Sequence, residues 1–345
     1  MLNKEKVVNI SVYGIFHAFV DFCCAAIVLS YIGKINVEEL LKTVILYNCL
    51  AFGLQPIIGF FADKTGNARN YAIAGCGILS LSFLFLKNPF AAVLFAGIGN
   101  AFYHIGGGVV ALKMSGGKSF MSGAFVAPGA IGLFLGAFIC KVSSFPLFWL
   151  SGLMIAGMII ISMLDEPDEK KMPFEFCGNK MIMIVASGLI LVSIAIRSFI
   201  GLSYEFSQKS YFLLMFLFIL SVALGKLLGG LFADKFGMVR TCVIALLSSL
   251  PLLYFEINPF CEILGIMLFN FTMPVTLTAL TDMMPRKKGF AFGLTTLFLL
   301  FGAIPPVLYN IKVSHNWVFV VVVLVSVIIT GVGLKIFEVN KKDLT

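Results

Sequence analysis

The sequence predicts an all-α membrane protein: twelve transmembrane helices in two six-helix pseudo-symmetric bundles. Three observations carry that prediction. First, 60% of the 345 residues are apolar and 12% charged, against about 45–50% and about 25% in an ordinary soluble domain. Second, the apolar residues fall in runs near the ~20 residues that a span needs, separated by charges, glycines and prolines. Third, one glycine–aspartate motif recurs half a chain apart. A soluble globule of this size has no interior for so much apolar surface, and disorder, a coiled coil or a disulfide scaffold do not fit the composition. Twelve spans consume about 240 residues, so no soluble domain fits beside them.

The first run, 8–33, follows MLNKEKVVNI, whose basic start imitates a signal peptide. The run is too long for a signal core, lacks a small-residue cleavage site and holds His17 and Asp21, so it is expected to remain as a span. The next spans are expected at 38–61, 70–87, 89–113, 119–141 and 144–163. Asn88-Pro89 divides the third from the fourth, because this dipeptide favours a turn. The charged segment DEPDEKKMPFEFCGNK, 165–180, is read as a cytoplasmic linker between an N-terminal bundle (1–164) and a C-terminal bundle (181–345). The second set of spans is expected at 181–202, 210–233, 239–256, 258–283, 288–310 and 315–337, with Asn258-Pro259 acting as Asn88-Pro89 does.

Orientation follows from the basic residues. With both termini inside, 17 Lys+Arg fall on the cytoplasmic side and 7 outside, the bias expected of a multi-pass protein. The formal charge of +8 therefore reports topology rather than nucleic-acid binding. The eight cysteines show no CxxC spacing and read as small packing residues.

Residues 59–69 read GFFADKTGNAR and residues 230–240 read GLFADKFGMVR, at an offset of 171. A second match pairs Lys118, Phe120, Gly123 and Gly132 with Lys288, Phe290, Gly293 and Gly302 at an offset of 170. Two matches in order at nearly one offset define parallel six-helix repeats. Gly59 and Gly230 are expected to let a neighbouring helix approach, and Gly66 and Gly237 to make the tight left-handed turn. Asp63 and Asp234 are expected to seat on the N-termini of spans 11 and 5, forming an inner latch. Lys64, Arg69, Lys235 and Arg240 complete each motif.

Twelve spans in two repeats, with this loop after spans 2 and 8, resemble the major facilitator superfamily of secondary transporters. The family's loop reads roughly G-x-L-A-D-R-x-G-R-R; here Lys64 and Lys235 replace the first arginine, and Arg69 and Arg240 stand one step late. FHAFVD (16–21), QPIIGFFAD (55–63), GIGNAFYH (97–104), SGGKSF (115–120) and IRSFIGLSYEF (196–206) are similar to segments of the fosmidomycin-resistance branch. That resemblance implies drug export against protons. Where the branch shows His-Pro in span 4, this chain has His104-Ile105. Span 5, with Gly123, Pro128, Gly129, Gly132 and Gly136, resembles the family's antiporter motif; small residues and a proline also make a helix bendable.

Ionisable residues at bilayer depth are costly and point to function. Asp21 sits at the centre of span 1 with His17 one turn away; Asn100 and His104 sit one turn apart at the centre of span 4. A carboxylate in a low-dielectric cavity can take up a proton near neutral pH, so Asp21 is expected to carry the coupling proton, with His17 and His104 tuning it. Asn100, Tyr103, Arg197, Lys226 and Asn270 are the candidate substrate contacts. Arg197 offers a fork for an oxyanion or a partner for Asp21, or else snorkels to the outer surface. Lys226 corresponds to Gln55 at the repeat offset and is a candidate partner for Asp282.

No HExxH, phosphate-binding loop or nucleophile motif is present. The three histidines (17, 104, 315) are not expected to form a metal cluster, and no cofactor is expected. The reading is a proton-coupled exporter of a small organic compound, a monomer in a bacterial cytoplasmic membrane. Its partners are protons, substrate and the lipid bilayer, not nucleic acid. An importer or uniporter of a small anionic metabolite is the alternative on the same fold. A lipid-active enzyme and a receptor or scaffold are the readings from other classes.

Overall fold

A computed structural model of the chain describes residues 4–142, 146–166, 179–255, 258–284, 286–313 and 317–342. Among the described residues every regular element is a helix. Ten helices are long and apolar enough to cross a membrane, and two shorter apolar helices, Leu147–Ser162 and Met238–Tyr254, complete a set of twelve.

The first half runs through α1 (Lys4–Leu29), α2 (Val37–Asn48), α3 (Gln55–Thr65), α4 (Ala68–Ser82), α5 (Pro89–Ser115), α6 (Ser119–Val142) and α7 (Leu150–Ser162). A π-turn, Cys49–Gly53, joins α2 to α3 within one span. The second half runs through α8 (Lys180–Ser203), α9 (Phe212–Phe236), α10 (Met238–Tyr254), α11 (Pro259–Asn270), α12 (Thr272–Met283), α13 (Lys288–Tyr309) and α14 (Trp317–Lys342). Helices α11 and α12 form one span broken at Phe271.

Asparagines open several helices. Asn258 accepts from the Cys261 N–H at 3.0 Å, with Pro259 as the first helical residue, and Asn36 accepts from the Glu39 N–H at 2.9 Å. Helices α3 and α9 run past the ends expected at 61 and 233, so Asp63 and Asp234 occupy last helical turns rather than a loop. The helix stops only where the chain can turn left-handed: Gly66 has φ 72° and Gly237 φ 93°.

The chain divides into two compact units: Met1–Met114, Ala124–Lys171 and Lys287–Leu297 in unit 1, and Ser115–Gly123, Met172–Arg286 and Phe298–Thr345 in unit 2. Helix α6 thus begins in unit 2 and continues in unit 1, and α13 does the reverse. In unit 1, α4 lies along α7; in unit 2, α8 lies along α14 and α10 against α11 and α14.

Glycines set how closely these helices approach. A Cβ on Gly132 would overlap the Ala18 carbonyl oxygen, and one on Gly136 the Phe22 carbonyl oxygen, so α6 lies backbone to backbone on α1. Without a hydrophobic drive between helices in lipid, such contact supplies the packing attraction. The seven described cysteines are all free, and four are fully buried.

Between α8 and α9, Tyr204 donates to buried Glu262 at 2.9 Å, and the backbone N–H and hydroxyl of Ser207 donate to the same carboxylate. Half-buried Glu205 sits 3.1 Å from both Lys312 and Lys209, whose ammonium groups hold its carboxyl below the ordinary carboxylate range.

Gly132→Val is expected to cost about 1–3 kcal/mol of stability by overpacking. Gly152→Val, where no atom lies within 4 Å of an added Cβ, is expected to stay within about 0.5 kcal/mol of the parent; thermal unfolding in detergent compares them. The folded chain binds the Glu205 proton less tightly than the unfolded chain, so this contact stabilises above the ordinary carboxylate range and is lost on acidification. The stability gap between the parent and Glu205→Gln is therefore expected to close as pH falls below the ordinary glutamate value of about 4.3 and through the depressed one.

Candidate functional site

Within unit 1, α1 and α5 each present two polar side chains one turn apart, and the four meet. Asp21 Oδ2 lies 3.2 Å from His17 Nε2, and Asp21 Oδ1 lies 3.5 Å from His104 Nε2. Asn100 Nδ2 donates to Asp21 Oδ1 at 3.2 Å. The imidazoles meet edge to face at 4.4 Å, and His17 stacks on Phe125 at 4.6 Å. His17, Asn100 and His104 are buried, whereas the Asp21 side chain keeps 18% of its surface.

The backbone fixes the imidazoles. His17 Nδ1 lies 2.7 Å from the Phe125 carbonyl oxygen, and His104 Nδ1 lies 2.9 Å from that of Asn100. A carbonyl oxygen only accepts, so each Nδ1 carries a proton and donates it. Each Nε2 then faces the Asp21 carboxylate. Two imidazoles and a carboxylate facing one another make a centre with the chemistry to share a proton or another cation.

Two of the three histidines thus meet at Asp21, which the sequence reading did not bring together as a ligand set. His17 and His104, with Asp21, offer three ligand atoms all within 4.8 Å of one another. The sequence hid this because the two histidines lie on separate spans and the third ligand is a carboxylate. His315 lies outside the described residues. The helix α6 makes room here: a Cβ on Gly129 would stand 2.5 Å from Asp21 Oδ2 and 2.6 Å from His17 Nε2. Pro128 precedes it inside α6. Tyr103, fully buried, donates its hydroxyl to the Tyr13 carbonyl at 2.7 Å and ties α5 to α1.

Within unit 2, Arg197 is 8% exposed, which overturns the snorkelling alternative. Its guanidinium donates to the hydroxyls of Thr272 and Thr276, and its Nε has no partner among the described residues. Asn270 ends α11 beside the helix break and donates to the Ile266 carbonyl at 2.9 Å. Lys226 is half-buried on α9, and its backbone carbonyl would meet a Cβ on Gly123. In unit 1, Gln55 is buried and donates to the Ala51 carbonyl at 2.6 Å; its Oε1 has no partner among the described residues.

The motif aspartates cap helices. In unit 1, Asp63 accepts from the N–H groups of Gly289 and Phe290 at 2.7 and 2.8 Å, at the start of α13. In unit 2, Asp234 accepts from Ser119 and Phe120 at 2.7 and 3.0 Å, at the start of α6. A carboxylate there satisfies two orphan donors and the positive end of the helix dipole. Both contacts need glycine beside them: a Cβ on Gly59 would overlap the Gly289 carbonyl oxygen, and one on Gly230 would press on the Ser119 carbonyl carbon at 2.7 Å. Lys64, Lys235 and Arg240 are exposed, with Lys235 over the Phe236 ring at 5.2 Å, while Arg69 donates to the Leu164 carbonyl at 2.7 Å.

Two further carboxylates escaped the sequence reading. Glu166 accepts from the Ala68 and Arg69 N–H groups at 2.8 and 3.1 Å, capping α4, and pairs with buried Lys113 at 2.8 Å. Glu338 accepts from the Met238 and Val239 N–H groups at 3.1 and 3.3 Å, capping α10. Their signal was available: they stand at nearly the repeat offset, each just after a half's last apolar run.

Apolar helices of this number and order set a membrane-spanning fold, and the family match makes the chain a membrane transporter rather than an enzyme. The chain belongs to the Major Facilitator Superfamily, whose family model matches residues 14–306. It is 25% identical over 302 residues to an uncharacterised MFS-type transporter, YfnC of Bacillus subtilis (strain 168), covering 72% of this chain and 71% of that one. Its fold is similar to that of a point variant of the E. coli fucose:proton symporter FucP, with a TM-score of 0.66, 10% identity, and 98% and 99% of the two chains covered. FucP in an outward conformation matches with a TM-score of 0.61 and 10% identity, over 95% of this chain and 99% of that one. At that identity the likeness to FucP is one of fold.

Glu166→Ala is expected to cost about 3 kcal/mol, because it strips a helix cap and leaves Lys113 buried without its carboxylate. Glu338→Ala removes only a cap and is expected to cost about 1 kcal/mol. Thermal unfolding in one detergent ranks the two.

Proposed function

We propose that the protein is a proton-coupled exporter of a small organic compound, of the fosmidomycin-resistance type. In this reading the bundles 1–164 and 181–345, joined by the cytoplasmic linker 165–180, expose a midplane site to each face in turn. The protein works as a monomer in a bacterial cytoplasmic membrane with both termini inside. The observation that carries the reading is Asp21 held between two imidazoles whose outer nitrogens are committed to backbone carbonyls. Such a centre exchanges protons between carboxylate and rings at little geometric cost. Coupling arises only as far as protons and substrate bind the two access states differently. The carboxylates at Asp63 and Asp234 act as caps that one access state makes and the other breaks, and the glycines and Pro128 of α6 let that helix bend.

A second reading is supported by Arg197. A buried guanidinium that meets hydroxyls, with one N–H unmet, suits an oxyanion. On that reading the substrate is a small anionic metabolite, imported or carried without an ion, with Lys226 and Asn270 beside the path.

The test is a pH-gradient assay in proteoliposomes loaded with a pH-sensitive dye. Candidate compounds are expected to dissipate the gradient through the parent protein and not through Asp21→Asn. Equal flux with and without a gradient, retained in Asp21→Asn, overturns proton coupling and favours the second reading.

A further inference from the structure

We propose that His17, Asp21 and His104 form a binding site for a divalent transition-metal ion of the zinc, cobalt or nickel class. Two imidazole Nε2 atoms and one carboxylate oxygen hold it. The inference rests on geometry and goes beyond the proton reading.

The ring tautomers are the first argument. Both Nδ1 atoms face backbone carbonyl oxygens, so when the rings are neutral both Nε2 atoms are the lone-pair nitrogens that a metal needs. Donation of the far ring N–H to a carbonyl is also the outer contact that orients a ligating histidine and raises its basicity. Asp21 has the matching support, because Asn100 Nδ2 donates to its Oδ1. Each ligand is therefore pre-set by a group that does not itself bind the ion.

Spacing is the second argument. A tetrahedral ion with bonds of about 2.0–2.1 Å sets its ligand atoms about 3.4 Å apart. His17 Nε2 lies 3.2 Å from Asp21 Oδ2 and His104 Nε2 lies 3.5 Å from Oδ1, and one ligand atom from each residue falls within 4.8 Å of the other two, a spread that a small side-chain rotation closes onto one ion. Close approach is the third argument. An added Cβ on Gly129 would fall 2.5 Å from Asp21 Oδ2 and 2.6 Å from His17 Nε2, so only glycine lets α6 lie against these two ligand atoms and leave them in place. Three protein ligands make an open metal site, whose sphere water or another donor completes.

The donor set selects the class of ion. Imidazole with carboxylate suits zinc, cobalt, nickel and copper; calcium and magnesium need six or more oxygen ligands that this site lacks. Cys24 is close, but its thiol meets the Ala96 carbonyl and the Asn100 amide, each at 3.7 Å, and it is not among the three ligands. A metal ion at this centre occupies the space that protons occupy in the coupling cycle. The two are mutually exclusive, and the bound metal arrests proton-driven transport.

The experiment uses full-length protein with a tag free of histidine, stripped with chelator and titrated with Co²⁺. One Co²⁺ per chain is expected, with the visible absorption of a four- or five-coordinate site. His104→Gln and Asp21→Asn are each expected to weaken it by more than about 100-fold, beyond what loss of an outer contact causes. No visible absorption in the parent, or unchanged affinity in both variants, overturns the proposal. X-ray absorption at the zinc edge of the Zn²⁺-loaded parent needs no variant: nitrogen and oxygen neighbours support the site, and a sulfur shell overturns it. Metal binding without proton flux refutes only the proton reading. Proton flux without metal binding refutes only this one.

Discussion

Hydrocarbon offers no partner to a backbone N–H or carbonyl, and this structure is organised around that constraint. Helices satisfy their own interiors and leave four donors at each start. Here those starts are met by carboxylates. Asp63, Asp234, Glu166 and Glu338 each accept from two successive backbone N–H groups at the beginning of a helix. The four are paired by the sequence repeat, aspartate with aspartate and glutamate with glutamate. The caps recur because every half must solve the same problem at the same point of its chain.

The same constraint explains the glycines. Packing in lipid gains little from burying apolar area, so helices must touch along their backbones. Gly132 against Ala18, Gly59 against Gly289 and Gly230 against Ser119 are such contacts. The last two lie beside the aspartate caps, so close approach and capping are a single device. A side chain on either glycine would push the helix start away from its carboxylate.

Against this repeated scaffold the buried polar centres are not repeated. Unit 1 carries a carboxylate between two imidazoles; unit 2 carries a guanidinium among threonine hydroxyls. A scaffold contact is dictated by the fold and reappears with it, whereas a site answers to one ligand and has no reason to reappear. The first centre gathers a carboxylate with two imidazoles and the second a guanidinium with hydroxyls, so the two halves offer different chemistry at their polar centres.

The sequence alone determined the class of fold. Apolar run lengths, the recurring ADK-x-G motif and the charge bias need only local chemistry and a bilayer thickness. The i,i+4 spacing likewise set His17 beside Asp21 and Asn100 beside His104, because one helix turn is a local fact. What lay beyond it was decided between helices. That α1 and α5 turn those faces toward each other, that Phe125 and Asn100 offer the carbonyls which fix the two rings, and that Gly129 lets α6 lie against the carboxylate depend on packing. The repeat offset marks Glu166 and Glu338 as a pair, but what they cap was equally out of reach, since about a hundred residues separate each glutamate from the N–H groups it meets. Periodicity reports which residues share a face; only tertiary structure reports what that face meets.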